Sequence, residues 1–262
     1  MRKIEDIHEL RSIQLNILKE IHRFCEKSGV TYFLSSGTLI GAVRHKGYIP
    51  WDDDIDVYMP RASYDRFLKT YCDETGKYVI LDPSKTTDYY YTFAKLADSR
   101  TMMVENETPG FKIGVYVDIF PIDFISDNPD EQERIFKRKR LLYKIRRCKI
   151  SRHNPLGSRL AYLCYKYLPL SVKQLDKMIS RLIISNTETN TVCNLTEAGP
   201  VTTQGCFAAK DIATAVDIEF EGLMLKTMAG YVDYLTHTYG DYMRLPPVEE
   251  RVTHEFEAYR LD

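Results

Sequence analysis

The sequence predicts an α+β fold, and three observations carry that expectation. Short β-branched and aromatic segments recur through the first 128 residues, a run without strand punctuation follows over 129–190, and strand character returns from 191 onward. This order predicts a sheet-bearing core over 1–128, a helical insertion over 129–190 and a C-terminal part, 191–262, that completes the core. A chain of 262 residues suits one large core with an addition, because single cores stop growing beyond about 250 to 300 residues.

Over 4–25 the apolar residues Ile7, Leu10, Ile17, Leu18, Ile21 and Cys25 recur at three- and four-residue steps, the pattern of an amphipathic helix that Gly29 ends. Residues 31–34 read as a strand. Ser35-Ser36-Gly37-Thr38 is a turn able to cap a helix over 39–45. Pro50 makes 47–51 a loop into a strand over 54–59, which Pro60 closes before a helix over 61–71. Further strands are expected at 78–81, 90–96 and 114–120, the last stopped by Pro121. Helices over 129–151, 158–167 and 171–184 are separated by Asn154-Pro155 and Pro169. A strand at 191–195, a hairpin of 217–220 with 223–226 across Glu221-Gly222, and a helix over 228–239 complete the chain.

Composition narrows the function classes. The net charge of −1 hides a basic block: 134–152 holds ten of the 36 Lys and Arg residues and no Asp or Glu. Such a block suits an anionic partner, and with Ile135, Leu142, Ile145 and Ile150 interleaved it suits the surface of a membrane carrying a lipid-linked acceptor. A solvated helix face is the plainer alternative. Nucleic acid is not an expected partner. The six cysteines lie far apart with no zinc-like spacing, which favours free thiols in a reducing compartment. Glu5 and Asp6 follow the first charged residues at once, and no 18-residue apolar run occurs, so the expected location is cytoplasmic.

The chemistry concentrates in 36–56. Asp54 and Asp56 alternate with Ile55, so on a strand they share a face about 6 to 7 Å apart. Two carboxylates held that close favour a shared hard cation, magnesium or also manganese, that is in turn liganded by substrate phosphates. A calcium loop beginning at Asp52 is excluded, since Val57 and Ser63 stand where Gly and Glu are required. Just upstream, Ser36-Gly37-Thr38 opens a helix: glycine admits a phosphate close to the backbone, the hydroxyls add donors, and the helix start supplies free N–H groups. Arg44, Lys46 and Lys95 are candidate phosphate contacts, and Trp51 is a candidate cover for a base or acceptor.

Residues 32–59, with Ser36-Gly37-Thr38 and Asp54-Ile55-Asp56 inside them, resemble the LicD family, a branch of the nucleotidyltransferase superfamily that includes the fukutin-like proteins. The resemblance extends to Phe93-Ala94-Lys95-Leu96-Ala97-Asp98, to 117–123 and to 239–247, which is most of the chain outside the helical block. It implies a nucleotidyltransferase-type mixed sheet flanked by helices, with the Asp pair on one strand and a third carboxylate on its neighbour. Asp118, an acid among apolar strand residues, is the choice for that third position, with Asp123 as the fallback. Catalytic and metal-binding roles are thereby expected for Asp54, Asp56 and Asp118, and substrate contacts for Ser36, Gly37, Thr38, Arg44, Lys46 and Lys95. The family resemblance also implies transfer of phosphocholine from CDP-choline to a sugar hydroxyl of a cell-surface glycan, such as teichoic acid, lipopolysaccharide or another polysaccharide precursor, with release of CMP. Transfer of another phospho-alditol or sugar phosphate, an Asp-x-Asp glycosyltransferase, and a noncatalytic nucleotide or glycan module are the alternatives. Arg251 and His254, in the tail, have no assigned chemistry.

Overall fold

Hydrophobic periodicity places the first helix as expected. In the computed structural model, which describes residues 1–86, 89–104, 113–151, 154–197, 205–251 and 257–261, α1 (Ile7–Ser28) buries Leu10, Ile13, Ile17, Leu18, Ile21 and Cys25 along one face. Each large aliphatic on that face contributes about 1.5 to 3 kcal/mol by leaving water. Asp6 caps the start through His8 N, and Gly29 at φ 63° ends the helix in the left-handed conformation that a glycine adopts without strain. A strand before it, β1 (Arg2–Ile4), was not expected.

Seven strands form the main, mixed sheet. They are β2 (Phe33–Leu34), β3 (Asp56–Pro60), β4 (Tyr78–Leu81), β5 (Ala94–Asp98), β7 (Tyr116–Ile125), β8 (Thr191–Cys193) and β9 (Cys206–Ala208). The central strand β7 runs parallel to β3, which pairs antiparallel with β2. On its other edge β7 pairs antiparallel first with β5, itself extended by β4, and then with β8, extended by β9. β6 (Thr101–Val104) and β12 (Glu257–Arg260) join β1 in a separate three-stranded sheet, and β10 (Ala215–Phe220) and β11 (Leu223–Met228) form a hairpin. Glu221 and Gly222 turn that hairpin with φ 51° and 70°, as the sequence led us to expect.

One strand boundary differs in an informative way. Pro121 does not end β7, which continues to Ile125. Asp118 donates its N–H to Ile55 O on the β3 side at 2.9 Å. Strand alternation therefore turns position 121 to the opposite edge, between the last β5 partner, Ile119, and the first β8 partner, Asp123. No ladder bond is required there, so a residue lacking N–H is accommodated. Expected strand 90–96 is also displaced, to Ala94–Asp98, because the Tyr89, Tyr90 and Tyr91 carbonyls accept from the Arg146 guanidinium instead of a neighbouring strand.

The remaining helices follow the expected order: α2 (Ser36–His45), α3 (Arg61–Thr70), α4 (Pro129–Ile150), α5 (Arg159–Lys166), α6 (Val172–Ile183) and α7 (Tyr231–Tyr239). α1 and α3 meet through Phe24, Phe67 and Tyr71 and lie on one face of the sheet against β7. α4 and α6 share a smaller core of Phe136, Tyr143, Ile179 and Ile183 with Ile125, Cys193 and Cys206. The basic block is only partly a solvated face. Lys139 and Arg146 are buried, with Lys139 on the Glu197 carbonyl at 2.8 Å and Arg146 on Asp176 at 2.5 Å.

Two ion pairs make the fold testable. Glu9 on α1 accepts from Arg2 of β1 and Arg260 of β12, each at 2.6 Å, and these hydrogen bonds, Arg2's first, hold its carboxyl down at about 2. A carboxyl lowered in the fold stabilises above its unfolded pKa and loses that contribution as pH falls through it toward the folded value. Thermal melts should therefore drop between about pH 5 and pH 2 more steeply in the native chain than in Glu9→Gln. Separately, Asp123, fully buried, takes a bidentate bond from Arg61 of α3 at 2.6 and 2.7 Å. Arg61→Leu should cost about 3 to 5 kcal/mol in urea unfolding, because it leaves a buried charge without its guanidinium.

Candidate active site

The site is assembled by the pairing of two parallel strands. Their register sets Asp56 of β3 directly beside Asp118 of β7. On the far side of Asp118 the antiparallel register sets Lys95 of β5, whose ammonium lies 2.6 Å from Asp118 Oδ1. Asp54 stands two residues before the ladder, half-buried. By alternation Asp54, Asp56 and Tyr58 share one face with Tyr116 and Asp118, the face away from α1 and α3. Asp123 lies five residues beyond Asp118 and so faces the opposite way, into its pair with Arg61.

The Ser-Gly-Thr turn is bonded straight to the carboxylate strand. Asp56 N donates to Thr38 Oγ1 at 2.9 Å, and Ser35 N donates to Asp56 O at 3.2 Å. Ser36 sits at φ 50°, a left-handed conformation that costs a non-glycine residue energy and persists only where its surroundings hold it. Those surroundings are Tyr58 and Tyr239, bonded to its side chain, and Tyr234, bonded to its backbone. The neighbouring Ser35 Oγ is buried without a hydrogen-bond partner among the described residues. Gly37 serves close approach, but to a carboxylate of the chain itself: a Cβ there would stand 2.7 Å from Asp52 Oδ2.

The loop that delivers the acids is fastened from α1 and from the hairpin. Arg11 donates to the carbonyls of Ile49, Pro50 and Asp52, and Gln14 donates to Asp53 O at 2.7 Å. Glu221 at the hairpin tip accepts from Tyr48 N at 3.1 Å, and its carboxylate lies where a side chain on residue 47 would be, which requires Gly47.

The expected phosphate contacts divide. Lys46 ends α2 exposed to solvent, whereas Arg44 braces the C-terminal segment by donating to Tyr242 O at 2.9 Å and Arg244 O at 3.3 Å. Lys95, 1% exposed, is not in the open groove. Its ammonium is held by Asp118 among the rings of Tyr116, Tyr91 and Phe93, at 3.4, 4.1 and 5.2 Å from their centroids. Trp51 is covered by the Arg251 guanidinium at 4.4 Å. His254 lies outside the described residues.

Sequence reasoning missed Glu197. It follows β8 on a segment pinned by Lys139 at its own carbonyl and by Tyr143 and Thr92 at the Thr196 carbonyl. Its carboxyl is crowded by protein although the residue is accessible to solvent, and that desolvation, opposed by Lys139 and reinforced by Asp118, raises it above the ordinary range. An acid shortly after a strand end was the only signal for it. Asp56 is raised well above the ordinary carboxylate range by burial first, then by Asp54, Asp118, Glu197 and Asp52. Five acids thus converge on a site where Lys95 is paired with Asp118 and Lys139 stands at the Glu197 end. The donor set fits a hard divalent cation, which would relieve the like-charge repulsion, although no three His, Cys, Asp or Glu groups among the described residues are drawn together tightly enough to enclose one.

This geometry has known relatives. The model of the LicD/FKTN/FKRP nucleotidyltransferase domain matches residues 29–157, and the whole chain is 35% identical to the whole of the lipopolysaccharide cholinephosphotransferase LicD of Haemophilus influenzae over 284 aligned positions. The chain belongs to the LicD family. It is accordingly a transferase, and the nucleotidyltransferase-domain match takes in β2, β3, β4, β5 and β7 of its mixed sheet. A shorter stretch is 45% identical over 47 residues to the human ribitol 5-phosphate transferase FKRP, covering 16% of this chain and 10% of that protein. Mannosyltransferase regulator 4 of Saccharomyces cerevisiae is 25% identical over 124 residues, 44% of this chain and 10% of that protein. The matched domain contains β3, β5 and β7, and with them Asp54, Asp56, Lys95 and Asp118.

The coupling of Lys95 to Asp118 is measurable. Lys95→Met should destabilise the chain by about 3 kcal/mol or more, and adding Asp118→Asn should recover part of the loss, giving a positive double-mutant coupling in chemical denaturation.

Proposed function

We propose that this LicD-family chain transfers phosphocholine from CDP-choline to a sugar hydroxyl of a cell-surface glycan, a lipopolysaccharide, teichoic acid or related polysaccharide precursor, and releases CMP. The observation that carries this reading is the Asp56–Asp118 juxtaposition beside the Ser36-Gly37-Thr38 turn. It offers a carboxylate pair and a helix start side by side, the parts that phosphoryl transfer requires for positioning and charge neutralisation. The full-length relative, named a lipopolysaccharide cholinephosphotransferase, supports the choice of head group and acceptor class.

In this reading Asp54, Asp56 and Asp118 hold magnesium, or manganese in its place, which when bound supplies Lewis-acid neutralisation of the diphosphate oxygens. The chain's own residues do the rest. The free N–H groups at the start of α2, beside Ser36, receive the phosphate, and Thr38 fixes Asp56 by accepting its N–H, whereas Lys46 stands at the opposite end of the helix, about 15 Å away, and takes no part in this contact. Lys95 balances the charge on Asp118 and holds its carboxylate in place beside Asp56; if Asp118 does not ligand the metal, it is instead the base toward the incoming sugar hydroxyl. Arg44 and the tail close the far side of the groove through the Tyr242 and Arg244 carbonyls. A second reading, transfer of a phospho-alditol, is favoured by the local match to the ribitol 5-phosphate transferase.

Purified chain incubated with CDP-choline, magnesium and candidate glycans should release CMP in step with a phosphocholine mass increase on the acceptor. CDP-ribitol turning over while CDP-choline does not would select the second reading, and a hexose mass increase would point to a glycosyltransferase. Asp54→Asn and Asp56→Asn should each lower turnover at least a hundredfold with unchanged far-UV circular dichroism, an effect of about 2.7 kcal/mol or more on the barrier. Full activity in both would remove the site assignment.

A further inference from the structure

Helix α5 is amphipathic, yet its apolar stripe points into water. Leu160, Leu163, Cys164 and Tyr167 recur at i, i+3, i+4 and i+7 and are all exposed, Leu160 at 75% and Tyr167 at 76%, and no residue of the helix is buried. Its opposite side, Ala161, Tyr162, Tyr165 and Lys166, is half-buried, and its C-terminal end is held by bonds to α4 and its following residue. Lys149 of α4 donates to the Lys166 and Leu168 carbonyls at 2.9 and 2.7 Å, and Lys166 donates to Ser151 O at 3.4 Å. A second apolar exposure lies between α4 and α6, where Leu141, Leu142, Met178 and Leu182 line a groove edged by Arg138 and Arg181.

Charge narrows the occupant of these surfaces. Residues 129–184 carry 15 Lys and Arg against 4 Asp and Glu, a net +11, while the remainder carries 21 against 33, a net −12. On α4 the inward residues Lys139 and Arg146 are spent on internal carbonyls and Asp176, whereas Arg134, Lys137, Arg138, Arg140 and Lys144 face solvent. Lys137 is partly offset by Glu133 at 2.8 Å. Two copies of this basic block brought face to face repel one another, which disfavours a symmetric second copy of this chain as the occupant. An apolar stripe flanked by lysine and arginine is instead the design of a helix that lies in a membrane interface, where a shallow insertion and an attraction to acidic lipids act together.

We propose that α4, α5 and α6 form a docking surface for a bilayer rich in anionic lipid, with the α5 stripe inserted at the headgroup boundary and the outward arginines and lysines of α4 and α6 on the lipid phosphates. This goes beyond the phosphocholine reading and does not depend on it. The same α4 that meets the lipid on its outer side holds the Glu197 carbonyl through Lys139 on its inner side, so the docked helix block is fastened directly to the catalytic groove.

Flotation of the full chain with vesicles tests the surface without any donor or acceptor. At physiological salt the chain should float with phosphatidylcholine vesicles containing 30% phosphatidylglycerol and remain behind with pure phosphatidylcholine. Leu160→Ser/Leu163→Ser/Tyr167→Ser and, separately, Arg138→Glu/Arg181→Glu should each lower partitioning at least tenfold, since each surface charge is worth roughly fivefold. All five positions are solvent-exposed, and unchanged circular dichroism and melting in either variant keeps the comparison valid. Failure of the native chain to float with anionic vesicles, partitioning of both variants equal to that of the native chain, or concentration-dependent dimerisation abolished by these substitutions would each overturn the proposal.

Discussion

Asp56 and Asp118 are brought side by side by parallel pairing, and much of the surrounding structure answers the repulsion this creates. Two carboxylates on adjacent strands, with Asp54, Asp52 and Glu197 nearby, raise the cost of ionising Asp56 in a buried position. Lys95 offsets part of that cost from the other neighbouring strand, and three aromatic rings around its ammonium replace some of the water it has lost. The remaining imbalance is the physical ground on which a divalent cation is proposed for the site.

The supports of this arrangement are backbone bonds more than side-chain packing. Thr38, Arg11, Gln14 and Glu221 each fasten a main-chain group of the loop or strand that carries the acids. The tail contributes from the opposite side, through Arg44 and through the Tyr239 hydroxyl bonded to Ser36. Residues more than 190 positions apart thus meet at both ends of α2.

Most of the fold was legible because periodicity and punctuation agree. The apolar face of α1, the Glu221-Gly222 turn and the helices after Asn154-Pro155 and Pro169 follow from local sequence. The short strands β1, β6, β9 and β12 did not, since three- or four-residue strands carry no measurable period and owe their state to distant partners. In the site, the adjacency of Asp118 to Asp56 follows from strand register, which no local pattern announces. The burial of Lys95, named as a candidate phosphate contact, was not legible, because Phe93 and Tyr91 two and four residues before it give no sign that their rings, with that of the distant Tyr116, close over its ammonium. Glu197 was invisible for the complementary reason: it lies far from the other acids in sequence and reaches them only through the pairing of β8 with β7.

Pro121 acts as a mechanical stop on the central strand. β5 and β8 approach the same edge of β7 from either side of it, and each would gain hydrogen bonds by creeping along that edge. At position 121 an advancing strand would present a carbonyl to a ring nitrogen with no hydrogen, so neither can advance. A slip of β5 by even one residue would send Lys95 to the other face of the sheet and leave Asp118 opposite an apolar neighbour. The absence of a single proton on an edge several residues from the carboxylates thereby keeps the ammonium aligned with its carboxylate.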